Sequence, residues 1–196
     1  LFDSGVGSLT AGLVAGNTPS PNAETYNGTS WTNISSLGNN TAGRAGAGTS
    51  TAALEFGGTP GLGVTEYWNG SSWTELNDLN TGRNVAGGIG TVYTAALCAG
   101  GDAPEVSDLN TGRYGLSGSG ASSTDALVFG GTQPGLPNHS ANTESWNGSA
   151  WTEVNDMATA RYYLAGAGSS SSAWAAGGVI TTASAATEEW TFSGLD

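Results

Sequence analysis

The chain has 196 residues with no lysine and only four arginines, set against 16 acidic residues for a net charge of −12. A basic surface able to neutralise phosphates is therefore missing, which excludes nucleic acid as a partner and anionic membranes likewise. One cysteine, Cys98, excludes an internal disulfide, and one histidine, His139, excludes most transition-metal sites. No apolar run approaches the ~20 residues of a membrane helix, so no membrane insertion is expected, and the opening residues do not read as a signal peptide. Beginning at Leu1, the sequence reads as processed or as a fragment. Leu, Ile, Val and Phe together number only 31, a composition that with this charge ordinarily accompanies disorder. Against that stand seven Trp and six Tyr, which disordered chains avoid.

These aromatics are organised by repetition. The segment ETYNGTSWT from Glu24 recurs as EYWNGSSWT from Glu66 and ESWNGSAWT from Glu144, with a degenerate EEWTFSG from Glu188. DLNTGR occurs at Asp78 and Asp108, each run ending in Arg83 or Arg113, and DMATAR runs from Asp156 to Arg161. An apolar strand ending in Gly-Gly appears as ALEFGG, ALCAGG, ALVFGG and AWAAGG, with GLVAGN as a worn first copy. The leading glycines Gly16, Gly57, Gly100, Gly130 and Gly177 are spaced 41, 43, 30 and 47 apart. One domain of five repeats follows, approximately 1–36, 37–78, 79–107, 108–155 and 156–196. The third is shortened and lacks the Glu-aromatic-Asn-Gly-Trp hairpin.

Each complete repeat reads as four short strands, in the fourth copy roughly Gly115 to Gly120, Ala126 to Gly130, Thr143 to Trp146 and Trp151 to Val154. The Asn-Gly pairs suit tight turns whose central residues need positive φ. No segment has sustained helical periodicity, so the chain is expected to be all-β. Gly-Gly after an apolar strand, then aromatic-Asn and Trp at this repeat length, resembles the kelch repeat of β-propellers. More narrowly, the wording resembles kelch-like repeat proteins of marine bacteriophages and marine bacteria. The resemblance implies an all-β propeller, or a partial or open one, of four-stranded antiparallel blades. An uncovered blade edge would favour pairing with another chain.

The repeated charges invite chemical readings. Arg83, Arg113 and Arg161 suit a ring gripping a carboxylate ligand, or a structural role in which each pairs with the repeated Asp or a backbone carbonyl; repetition around a ring favours the structural role. Glu24, Glu66, Glu144 and Glu188 suit glycoside acid/base chemistry only if two become inequivalent, which identical register opposes. Trp31, Trp73 and Trp151 suit sugar stacking, or packing between blades in strands with little else to bury. Cys98 occupies a position held elsewhere by Glu55, Val128 and Ala175, and reads as a small strand side chain. The copper ligands of galactose-oxidase-like relatives are missing, as is the repeated Ser-x-Asp-x-Gly-x-x-Trp box of sialidases. No catalytic constellation, metal site or cofactor is assigned.

Sequons at Asn27, Asn33, Asn39, Asn69, Asn138 and Asn147 permit N-glycosylation where the source glycosylates. In an up-down meander, the loops from strand two to three share a face with the connections between blades. That face carries the length variation, making Asp102, Glu105, Gln133, Asn138, His139 and Asn142 the candidate ligand-binding residues. The sequence-level expectation is a non-enzymatic structural and recognition module, extracellular or on a virion, binding protein or glycan. The alternatives are a self-assembling fibre or coat protein with a glycosylated surface, forming homo-oligomers through blade edges, and a propeller-type glycan-processing enzyme.

Overall fold

The computed structural model describes residues 4–16, 20–102, 109–135 and 139–191. The chain is an all-β propeller of antiparallel meanders. The first sheet contains β1 (Ser4–Ser8), β2 (Ala11–Ala15), β3 (Ala23–Tyr26) and β4 (Trp31–Ile34). The second contains β5 (Ala45–Thr49), β6 (Ala52–Phe56), β7 (Thr65–Trp68) and β8 (Trp73–Glu75). In third place sits a two-stranded ribbon, β9 (Gly87–Ile89) and β10 (Leu97–Ala99), joined through a 3₁₀ turn at Tyr93–Ala95. Next come β11 (Ser117–Ser122), β12 (Asp125–Phe129), β13 (Thr143–Trp146) and β14 (Trp151–Val154), then β15 (Ala165–Gly168), β16 (Ser172–Ala176) and β17 (Thr187–Thr191). The strands of the five sheets number 4, 4, 2, 4 and 3 in chain order, with the shortened sheet in third place as the repeats imply. The missing third-repeat hairpin accounts for the ribbon.

Successive first strands pack side by side, β1 on β5, β5 on β9, β9 on β11 and β11 on β15, around a central channel. Glycine makes that approach possible: a Cβ on Gly88 would lie 2.2 Å from the Gly46 carbonyl oxygen. The core is divided among small interfaces between sheets. At each one, the Leu of one Gly-Gly strand meets the Ala that opens the next. Leu13 clusters with Ala53, Leu54 with Ala96, Leu97 with Ala126, and Leu127 with Ala173. Paired small and medium side chains let neighbouring sheets sit close, so few large aliphatics are needed. Trp68 and Trp151 complete this packing at 2% and 8% exposure.

The hairpins differ from the tight-turn expectation. Tyr26 pairs with Trp31, leaving a four-residue loop, and only the glycine is left-handed, with Gly28 at φ 95°. Asn27 contributes through its side chain, whose Oδ1 accepts the Thr29 and Ser30 amides at 3.0 Å. Asn69 and Asn147 repeat the arrangement at 2.9 Å. An Asx side chain replaces the second left-handed residue a two-residue turn would need.

Candidate functional site

The repeated arginines do not converge on a ligand; they fasten each sheet to the next. Arg113 is buried, with Nε donating to the Gly130 carbonyl at 2.8 Å and Nη1 to the Thr111 carbonyl at 3.0 Å and to the Glu144 carboxylate. The other oxygen of Glu144 accepts the Asn110 amide at 2.8 Å. Arg161 pairs with Glu188 at 3.2 Å, and Glu188 accepts the Ala158 amide at 2.6 Å. Each carboxylate thus binds together the Asp-Leu-Asn-type loop and the arginine that lead into its own sheet. Asp156 instead accepts the Thr143 amide at 3.1 Å, and Asp108 lies outside the described residues.

The second repeat solves the same problem from another register. Thr41 stands where the other repeats have arginine, and Arg44 follows three residues later, yet Arg44 Nη2 reaches Glu66 at 2.8 Å. Glu66 also accepts the Gly38 amide at 2.6 Å. Among the described residues Arg83 pairs with no carboxylate, the ribbon lacking the glutamate hairpin, and it donates to the Gly100 and Thr81 carbonyls at 3.0 and 3.4 Å. All four arginines are therefore committed. Glu24 alone among the repeated glutamates is exposed with no arginine opposite it.

Backbone bonds reinforce these joints. The second glycine of the first three Gly-Gly pairs donates to the carbonyl of the next repeat's arginine: Gly58 to Arg83 at 2.9 Å, Gly101 to Arg113 at 3.0 Å and Gly131 to Arg161 at 2.9 Å. A second series runs from sheet to sheet, Val85 N–H to Gly43 at 2.8 Å, Gly115 to Val85 at 2.9 Å and Tyr163 to Gly115 at 2.7 Å. Val85 and Tyr163 hold left-handed φ of 51° and 53° to join it, a strained conformation for the β-branched Val85 and the bulky Tyr163 alike.

With these groups occupied, the remaining chemistry lies elsewhere. The central channel, ≈ 420 Å³, is lined mainly by backbone and glycine from all five sheets, with no carboxylate, histidine or cysteine among its lining residues. Desolvation pushes the Cys98 thiol up to about 12, outweighing the pull of the nearby Arg83 charge, which disfavours the nucleophilic thiolate. Among the described residues no group of three or more His, Cys, Asp or Glu could hold a metal ion. No helix among them is long and apolar enough to cross a membrane.

The face carrying the variable loops presents a different surface. His139 stacks on Tyr162 with ring centroids 4.3 Å apart and donates from Nε2 to the Ile180 carbonyl, joining the loops of the last two sheets. Tyr162 packs on Tyr163 at 4.4 Å. Burial raises the Tyr163 pKa, helped by the nearby Tyr114, Tyr162 and Asp102, which puts a tyrosine cluster beside that aspartate. Loop bases are pinned by two-way or single bridges: Asp102 to Asn84, Thr132 to Tyr114, Val179 to Tyr162. Asn142 reaches Glu153 at 3.4 Å, and Gln133 is half-buried beside the loop turn. Glu105 and Asn138 lie outside the described residues. The tyrosines were missed in the sequence, although the Arg-Tyr pairs at Arg113-Tyr114 and Arg161-Tyr162 signalled them. No protein-family model and no curated protein matches this chain.

Proposed function

We propose that this propeller is a non-enzymatic structural and recognition module of kelch-like type that binds a protein or glycan through its loop face, outside the cell or on a virus particle. The observation that carries this reading is the consumption of the repeated catalytic-looking groups in fastening. Glu66, Glu144 and Glu188 are tied to arginines, and the arginines spread around the ring instead of converging. What remains for a partner is Tyr114, Tyr162, Tyr163, His139 and Asp102 on loops of unequal length. Half-buried tyrosines held by neighbours offer flat contact area and a hydroxyl at small entropic cost, which suits sugars and protein surfaces alike.

The test is a glycan array with a parallel hydrolase screen. Binding that is lost in a Tyr114→Ala/Tyr162→Ala variant, with no turnover, is the expected result. Turnover abolished by Glu24→Gln, which spares every arginine joint, would overturn it.

A further inference from the structure

The two ends of the repeat series present opposite faces that match the two sides of every internal joint. Inside the molecule the pairing is always Leu on Ala, four times over. The terminal repeats break this pattern at both ends. The position of Ala53, Ala96, Ala126 and Ala173 is Gly12 in the first repeat, and the position of the four leucines is Trp174 in the last. A larger knob faces outward at one end and a deeper hole at the other. Leu and Ala are exchanged for Trp and Gly at the two surfaces that no other sheet covers among the described residues.

Both surfaces stand open. Trp174 is 53% exposed and Trp31 50% exposed, whereas Trp68 and Trp151, in the tryptophan–tryptophan pairs of other sheets, are covered by the preceding sheet. Tyr26 and Trp31 hold the same tilted geometry, 5.1 Å between centroids against 5.3 and 5.2 Å in the covered pairs. The first sheet is thus already shaped as the receiving half of a joint. Its inner strand has the room as well: a Cβ on Gly5 would meet only atoms of its own sheet, at 3.8 Å or more, whereas on Gly46 it would strike Ser4 of the sheet before.

We propose that the open face of the first sheet receives the open face of the last sheet of a second copy of this chain, with Trp174 seated over Gly12 against Tyr26 and Trp31. This contact continues the internal face-to-face stacking and does not use the outer blade edges. It joins two different surfaces, so pairing two chains leaves a free face at each end and growth continues into longer assemblies. Glu24 and Glu189 lie on the two opposed faces and each chain carries −12, so association tightens as salt is raised.

The test uses sedimentation velocity on the intact chain over a wide concentration range, with two variants. Trp174→Ala removes an exposed side chain. Gly12→Val fills the hole, and its Cβ has ordinary contacts of 3.5 Å to Tyr26 and 3.6 Å to Trp31. Thermal melts confirm that each stays folded. The expected result is a mass that climbs past the dimer for the parent chain, monomers for either variant alone, and a heterodimer that grows no further when the two are mixed. That complementation follows because the Trp174→Ala chain keeps an intact receiving face and the Gly12→Val chain an intact knob. A parent chain that stays monomeric at every concentration would overturn the proposal, as would variants that still associate or a mixture that fails to pair.

Discussion

Replacing Arg113 by Ala separates a buried fastening from an ordinary surface charge. The substitution strands the Glu144 carboxylate, which is 1% exposed and keeps the Asn110 amide as its remaining donor, and removes donors from the Gly130, Thr111 and Asn142 carbonyls. Breaking a buried pair from one side costs about 3–5 kcal/mol, most of it the uncompensated charge. A chain of this size has of order 10–30 kcal/mol in hand, so the variant still folds, but with a urea midpoint lower by roughly 1.5–2 M. Arg83→Ala is the internal control. It loses carbonyl bonds without stranding a carboxylate among the described residues and should cost about 1–2 kcal/mol. Arg113→Met/Glu144→Leu, which removes both charges and keeps volume, should recover most of the loss. Equal costs for Arg113→Ala and Arg83→Ala, or a double variant no better than the single, would refute the account of the joints.

Close approach of the inner strands gives a paired test by thermal melting. Gly88→Ala forces β9 off the Gly46 backbone and should cost about 1–3 kcal/mol, while Gly5→Ala, with open space around it, should be neutral within error. Val85→Asn relieves a β-branched residue held at positive φ and should raise stability by roughly 1 kcal/mol; a loss would show that its side-chain packing outweighs the strain. With its thiol held near 12 against an ordinary 9.0, Cys98 should alkylate at pH 8 about a thousand-fold more slowly in the native protein than in urea. Comparable rates in the two states would show the thiol to be hydrated.

Much of the architecture was legible because the repeats carry it. The strands Thr143–Trp146 and Trp151–Val154 fall where alternation and the Asn-Gly loop put them. The shortened third repeat reads directly as a ribbon. The partners of the arginines were not legible, since Asp78, Asp108 and Asp156 are near in sequence whereas Glu66, Glu144 and Glu188 are brought up by the next sheet. Arg44 shows why register alone misleads: displaced by three residues, it still reaches its glutamate because a long side chain absorbs the offset. Tryptophan position was likewise insufficient. Trp31 shares its register with Trp151, yet one is half exposed and the other buried, because burial depends on the neighbouring sheet and not on the strand that bears the residue.

The central claim is that sheet-to-sheet fastening absorbs the repeated residues and leaves the loop face free for a partner. Native-state hydrogen exchange resolved by residue tests it most directly. The Val85, Gly115 and Tyr163 amides, which bridge successive sheets, and the Asn110 amide on Glu144 should exchange only through global unfolding, while amides at the Gln133–Gly135 turn exchange through local opening. Exchange of the bridging amides as fast as those of the loops would contradict the account.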